Sequence, residues 1–170
     1  MDSFNARYLT FCKPYIDATQ TVYSTMVQTE LKTTKAHYKS DLKFNYDYSA
    51  IIGNSGDYTR VNPHLSFKST LIISWPKESY IKTANKMLME AYEEYNKEIS
   101  DVGMEICNIV TGAAKGVLYE LGFEIRMAIP TSIWGANHSF GGQNASKTIV
   151  MPMKSELGTV YIQLFYAEND

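Results

Sequence analysis

The segment DVGMEICNIVTGAAKGVLYELG, residues 101–122, has the hydrophobic periodicity of a long amphipathic helix. At about 100° per residue, its apolar side chains fall on one stripe, which is predicted to face the core. That stripe consists of Val102, Ile106, Ile109, Ala113 and Val117. Gly122 follows the last periodic residue, and glycine readily adopts the left-handed conformation that ends helices. We therefore predict a helix from about Ile99 to Leu121.

A polar line runs along another side of this predicted helix. It consists of Asp101, Glu105, Asn108, Gly112, Lys115 and Tyr119. Residues three apart are neighbours on a helix, about 5–6 Å from each other, so Glu105 and Asn108 project side by side. A carboxylate beside a carboxamide is a candidate for binding or catalysis. The same spacing is also compatible with an ordinary solvated surface.

Two glycines, Gly112 and Gly116, follow this polar pair at intervals of one turn. Glycine in a helix interior costs about 1 kcal/mol relative to alanine, so a compensating role is expected. The glycines would allow another backbone to approach the helix closely. That backbone belongs either to the chain's own sheet or to a partner protein, and the spacing alone does not distinguish these alternatives.

The first half of the chain predicts a helix and two strands. The helix is expected from about Lys13 to Leu31, with Pro14 in its first turn. Its buried stripe consists of Phe11, Tyr15, Ala18, Val22 and Met26. The sequence YSAIIG, residues 48–53, predicts a short strand that the following Gly-Asn-Ser-Gly ends. The sequence LSFKSTLIIS, residues 65–74, predicts a longer strand.

The second half predicts another helix, over residues 77–95, and three further strands. Ser74 is the expected helix cap, with Pro76 in the first turn. Its buried residues are expected to be Tyr80, Ala84, Met87, Leu88 and Ala91. The strands are FEIRMAIPTSIWG, KTIVMPMK and GTVYIQLFYA. This order predicts an α+β fold, a largely antiparallel sheet covered by long helices on one side.

Composition narrows the classes of protein that the chain can belong to. Its 170 residues fit one domain, residues 1–170, and a formal net charge of −2 argues against a nucleic-acid binder. Two separated cysteines fit free thiols in a reducing cytoplasm. We read no signal peptide and no apolar run long enough for membrane insertion. Scattered histidines and the lack of a phosphate loop argue against a metal hydrolase or nucleotide enzyme.

The stretch SDVGMEICNIVTGAAKGVL resembles the signature helix of the CheC/CheX/FliY phosphatases of bacterial chemotaxis, which bears Glu-x-x-Asn followed by glycine and small residues. KPYIDATQTVYSTM, LIISWPKESYIKTANKML and IPTSIWGANH are similar to other parts of that family in the same order. The first helix has Asp17 and Gln20 where a second pair would lie, so the chain resembles the single-pair CheX type. The segment from Asp57 to Phe67 reads as an insertion between two strands.

This resemblance implies an enzyme that hydrolyses the aspartyl phosphate of a CheY-type receiver protein. It implies that Asn108 orients the attacking water and that Glu105 docks onto the receiver's lysine. Gly112 would let the receiver's backbone approach, and Asp101 and Lys115 are predicted to contact the same partner. The receiver would supply Mg²⁺, so the resemblance implies no cofactor of the chain's own.

Two alternatives remain open from the sequence. The chain is either a phosphatase or a non-catalytic CheX-like module that binds a receiver or a flagellar-switch component without turnover. The resemblance also implies a homodimer that joins sheets edge to edge. The aromatic run VYIQLFY, residues 160–166, suits such an edge and equally suits the core of one chain.

Overall fold

The computed structural model describes residues 3–39, 45–140 and 148–169. The helices are α1 (Phe4–Val22), α2 (Lys77–Leu88) and α3 (Val102–Glu120), and a π-helical turn, Tyr23–Val27, continues α1. The strands are β1 (Lys32–Thr33), β2 (His37–Tyr38), β3 (Tyr46–Tyr58), β4 (Leu65–Trp75), β5 (Phe123–Met127), β6 (Thr131–His138), β7 (Thr148–Ser155) and β8 (Gly158–Glu168). Within these ranges, no helix is both long and apolar enough to cross a membrane.

All eight strands in the described ranges belong to one antiparallel sheet, as predicted. The order is β1-β7-β8-β4-β3-β5, with β2 also paired to β7 and β6 also paired to β3. Burial alternates along β4, where Leu71, Ile73 and Trp75 face the helices. These side chains and the buried faces of the helices form one hydrophobic core. The α+β class with helices over one face of the sheet is therefore confirmed.

Helix α1 begins at Phe4, nine residues before the predicted start, because Ser3 caps it by accepting a hydrogen bond from the Ala6 backbone N–H at 3.3 Å. Pro14 lies inside the helix, so its placement in the first turn was wrong. A proline there removes one helical hydrogen bond. The helix continues because Phe11, before the proline, and Tyr15, after it, are fully buried in the core.

Strand β3 runs straight through the Gly-Asn-Ser-Gly sequence that was expected to end it. The strand is paired on both sides there, with β4 and β5, and these two ladders outweigh the local preference for a turn. Gly56 is needed for this packing, because a Cβ would lie 2.1 Å from the Glu124 carbonyl oxygen. The predicted insertion from Asp57 to Phe67 is therefore largely hairpin, with Asp57 opposite Ser66.

Helix α2 ends at Leu88, seven residues before the predicted end. Asn85 causes this end, since its side chain donates to the Tyr92 carbonyl at 2.8 Å and accepts from the Tyr92 N–H at 3.0 Å. Leu88 and Ala91 are exposed, whereas Tyr80 and Ala84 are buried as predicted. These two side-chain bonds turn the chain back where the helical pattern alone suggests continuation.

The cap of α2 is also not the predicted one. The Ser74 hydroxyl is hydrogen-bonded to the Ser49 hydroxyl at 2.7 Å and does not cap the helix. Asp47 of β3 takes this place, because its Oδ2 accepts from the Lys77 backbone N–H at 2.7 Å. A carboxylate also complements the positive end of the helix dipole.

The end of the chain forms four strands, β5 to β8, in place of the three that were predicted. The sequence FEIRMAIPTSIWG divides between β5 and β6, since residues 128–130 leave the sheet at Pro130. Both strands then pair with different halves of β3. The VYIQLFY run lies in β8, between β4 and β7, so the sheet edge, one of the two alternatives for this run, is excluded. Tyr166 belongs to the hydrophobic core, whereas Tyr161 and Phe165 are partly buried.

The two cysteines are free, as the sequence suggested, and both are buried. Cys12 lies on α1 and Cys107 lies on α3. Burial raises the pKa of the Cys107 thiol to about 12 and raises that of Cys12 as well. Both thiols therefore behave as small apolar core residues at neutral pH.

Candidate functional site

Helix α3 carries the candidate site, and its core face is rotated from the predicted stripe. The buried residues are Val102, Gly103, Ile106, Cys107, Val110, Thr111, Ala114 and Leu118. Ala113 and Val117, which were predicted to be buried, are exposed, and Val117 is 53% accessible. The helix is turned by about one residue from the prediction, so that Val110, Ala114 and Leu118 face the core in place of Ile109, Ala113 and Val117. In this orientation α3 packs against α1 and β3.

The polar line of α3 points away from the core along its whole length. Asp101, Glu105, Asn108, Gly112, Lys115 and Tyr119 are all exposed. The structure thus brings together every residue that the sequence proposed for the site. Glu105 and Asn108 form no side-chain hydrogen bond or ion pair with another residue in the described part of the chain. A carboxylate and a carboxamide are consequently presented to solvent with their bonding capacity unused.

The two glycines beside this pair do not serve the chain's own packing. A Cβ built at Gly112 or at Gly116 would have no neighbouring heavy atom within 4 Å. The interpretation that these glycines pack on strands is therefore wrong. The other interpretation, close approach by a partner backbone, stays a prediction.

The N-terminal end of α3 is held by two stacked tyrosines from β3 and α2. The rings of Tyr48 and Tyr80 lie 3.8 Å apart and 12° from parallel. The Tyr80 hydroxyl accepts from the Gly103 backbone N–H at 3.1 Å and donates to the Ile99 carbonyl at 2.5 Å. The Tyr48 hydroxyl donates to the Ser100 carbonyl. Burial raises the pKa of Tyr80, so this hydroxyl stays protonated and keeps its role as a donor.

The C-terminal end of α3 is held by the hairpin that joins β3 to β4. Gly122 has a φ of +95° and ends the helix, as predicted. Its carbonyl accepts from the Thr59 backbone N–H at 2.8 Å, and Arg60 donates to the Glu120 carbonyl at 2.8 Å. The segment that the sequence suggested was an insertion thus fixes the end of the helix that carries the candidate site.

The corresponding residues of α1 are engaged within the chain. Asp17 forms an ion pair with Lys13 at 2.6 Å. The Gln20 side chain donates to the Leu31 carbonyl at 3.0 Å. On α1, the residues at the corresponding positions differ in type from the Glu-x-x-Asn pair, and both are engaged within the chain. Helix α1 therefore carries no free carboxylate–carboxamide pair, whereas α3 does.

The sequence did not reveal the residues that position α3. Tyr48, Tyr80 and Arg60 come from distant parts of the chain, and no local pattern connects them with the helix. One signal was present: Gly103 is a glycine in the first turn, and a Cβ there would lie 2.2 Å from Tyr48 Cε1. In the described ranges, no group of three or more His, Cys, Asp or Glu side chains is arranged to hold a metal ion.

The fold and the exposed pair on α3 define a class: α+β domains that present a Glu-x-x-Asn helix over one antiparallel sheet. Residues 48–154 match the family model described as chemotaxis phosphatase CheX. The chain therefore belongs to the CheX family. No curated protein matches it.

Several solved structures are similar to this chain. A CheC-like superfamily protein from Shewanella sp. PV-4 is 34% identical, with a TM-score of 0.81 over 92% of this chain and 97% of that one. Chemotaxis protein CheX from Vibrio vulnificus is 28% identical, with a TM-score of 0.81 over 93% and 99%. CheX in a CheX–CheY–BeF3–Mg²⁺ complex from Borrelia burgdorferi is 22% identical, with a TM-score of 0.70 over 94% and 98%, a likeness of fold.

Proposed function

We propose that this chain, as one CheX-like domain over residues 1–170, hydrolyses the aspartyl phosphate of a CheY-type receiver protein. One observation carries the proposal: Glu105 and Asn108 stand exposed and unengaged on a helix that is fixed at both ends, in a member of the CheX family. The relative from Borrelia burgdorferi has been crystallised with CheY, BeF3 and Mg²⁺, which supports a receiver as the partner.

In the proposed reaction, a water oxygen bonds to phosphorus as the bond from phosphorus to the aspartyl oxygen breaks. The receiver regains its carboxylate, inorganic phosphate leaves, and the proton of the water passes to the phosphate or to solvent. Phosphoryl transfer depends chiefly on positioning and on stabilising charge. The charge stabilisation would come from the Mg²⁺ and lysine of the receiver, so this chain has to contribute the positioning.

Asn108 is the proposed catalytic residue because a carboxamide can both accept from and donate to one water. A carboxylate at that position would repel the phosphoryl group, whereas the neutral amide does not. Holding the water in line with the bond that breaks removes orientational freedom before the reaction, which is worth several kcal/mol of barrier. The fixed ends of α3 serve this role, since the backbone of Asn108 moves only with the helix.

Glu105 is the proposed docking residue and would pair with the receiver's lysine. It lies one turn from Asn108 on the same exposed line, so one approach of the receiver engages both side chains. Gly112 continues this line and leaves room for the partner's backbone. Asp101 and Lys115 lie at either side of it and would contact the receiver's rim. We also propose a homodimer, in which each chain contributes one α3.

The test is release of phosphate from a receiver labelled with acetyl phosphate in the presence of Mg²⁺. This chain is added in amounts well below the receiver, so that only repeated turnover clears the label. Faster, saturable phosphate release supports the proposal. Tight binding to the phosphorylated receiver with an unchanged decay rate identifies the alternative, a non-catalytic interaction module. Light scattering on the same preparation reports the oligomeric state.

A further inference from the structure

A cavity of about 230 Å³ lies on the face of the sheet that the helices do not cover. Its floor is formed by outward-facing residues of adjacent strands, Ile51, Ile72 and Phe165. Ile51 lies opposite Ile72, and Thr70 lies opposite Phe165. The floor is thus a mainly apolar surface that spans β3, β4 and β8.

One polar group in this floor has an atom with no hydrogen-bond partner among the described residues. Gln163 lines the cavity and is 1% exposed, and no residue in the described ranges accepts a hydrogen bond from its Nε2. Buried donors are nearly always paired, because leaving one unpaired forfeits its interaction with water. The Gln163 amide therefore has a donor available to an acceptor that enters the cavity.

The side of the cavity carries a positive charge. Lys39 follows β2, where its backbone N–H donates to the Thr148 carbonyl at 2.9 Å, and its Nζ lies 6.0 Å from the centre of the Phe140 ring. Partial burial lowers the pKa of Lys39, and in the described ranges it has no ion-pair partner. A partly buried ammonium and an unpaired amide donor that line the same cavity favour an anion.

We propose that this cavity binds a small carboxylate with a flat apolar body, about the size of benzoate. The carboxylate would accept from Gln163 Nε2 and from Lys39 Nζ, and the apolar body would lie on Ile72 and Phe165. The volume supports this size, because a cavity of roughly 150 Å³ holds benzene and the remaining space suits a carboxylate. Drug-sized ligands occupy about 300 Å³ or more, so a nucleotide is too large.

This site is separate from the proposed phosphatase site. Lys39 follows β2, and Gln163 and Phe165 lie in β8 on the uncovered face of the sheet, whereas Asn108 lies on a helix over the opposite face. The inference therefore does not depend on the proposed function, and either one can fail while the other stands.

The experiment is titration of the full chain with benzoate, followed by saturation-transfer NMR and calorimetry up to about 10 mM. Benzyl alcohol, which lacks the charge, and acetate, which lacks the ring, are the matched probes. We expect saturable binding of benzoate, with at least about tenfold weaker binding of both other probes. Benzyl alcohol loses the charge-assisted hydrogen bond, and acetate loses the apolar surface that the ring would bury. No saturable binding, or equal binding of benzyl alcohol, would overturn the proposal.

Two variants locate the binding to this cavity. Gln163→Leu removes the amide donor, and Lys39→Met removes the charge; each is expected to weaken benzoate binding about tenfold. Lys86→Met, on α2 and on the other side of the sheet, is the control and should leave binding unchanged. Unchanged affinity in Lys39→Met places benzoate elsewhere and rejects the site. That variant decides the question even if Gln163→Leu lowers the melting temperature.

Discussion

Gly103 of α3 lies so close to the ring of Tyr48 on β3 that a Cβ at position 103 would fall 2.2 Å from Tyr48 Cε1. The same ring stacks on Tyr80, and Tyr80 in turn accepts a hydrogen bond from the Gly103 N–H. The first turn of α3 is therefore set at a fixed height above the sheet. The position of Glu105 and Asn108 depends on this contact, although neither touches the tyrosines.

We expect Gly103→Ala to destabilise the protein by about 1–3 kcal/mol, because the added methyl group must displace a buried aromatic ring. Urea denaturation measures the change in the free energy of unfolding. Gly116→Ala on the same helix is the control, since its methyl group meets no neighbour and should raise stability by up to about 1 kcal/mol. Equal effects of the two substitutions would show that the ring contact does not fix α3.

Asn108→Ala is expected to lower the rate of stimulated receiver dephosphorylation by at least about 100-fold, because the attacking water loses its positioning. Since Asn108 is exposed and makes no contact with the core, the free energy of unfolding should change by less than about 0.5 kcal/mol. Phosphate release and receiver binding are measured in parallel, and binding should persist.

The matched variant for this position is Asn108→Asp, which keeps the shape of the side chain and adds a negative charge. It is also expected to be inactive, since the carboxylate would repel the phosphoryl group. Full activity of Asn108→Ala would rule out Asn108 as the catalytic residue.

Glu105→Lys is expected to weaken binding of the phosphorylated receiver by about tenfold or more, because it places two positive charges against each other. Surface plasmon resonance at two salt concentrations measures the effect, which should shrink as salt screens the charges. Glu120→Lys makes the same charge change on the same helix, away from the polar line, and should have little effect. Equal losses in both variants would indicate a general effect of net charge and not a specific docking pair.

Gly112→Ala separates folding from docking. The substitution should raise the free energy of unfolding by up to about 1 kcal/mol, because alanine is the better helix former and the new methyl group meets no neighbour. We expect it to weaken receiver binding all the same, because the partner's backbone would approach this position. A variant that is more stable and binds the receiver as tightly as the parent chain would leave Gly112 without a docking role.

The sequence predicted those features whose causes lie within a few residues of each other. The Gly122 stop, the buried Phe11–Val22 stripe of α1, the 65–74 strand and the exposed polar line of α3 follow from local periodicity. Pro14 inside α1 and the path of β3 through Gly53 and Gly56 did not follow, because packing and ladders on both sides override local preference there. These contacts join segments that are far apart in the chain.

The same distinction applies to the candidate site. Its exposed residues were found because a helix of known period places them on one line. Their support was missed, because it comes from Tyr48, Tyr80 and Arg60, whose partners no local pattern identifies. The orientation of α3 was also misjudged at Ala113 and Val117, since Ala114 and Leu118 face the core instead and local periodicity does not separate two apolar stripes that differ by one residue.

The contrast between the two sides of α3 has an evolutionary consequence. Buried positions such as Gly103 and Ala114 tolerate little change, because each contacts a neighbouring element or lies in the core. Exposed positions such as Asp101 and Lys115 can mutate at little thermodynamic cost. Under the proposed function, receiver preference can therefore diverge among descendants of one ancestral chain through substitutions at such surface positions, while the fold is inherited unchanged.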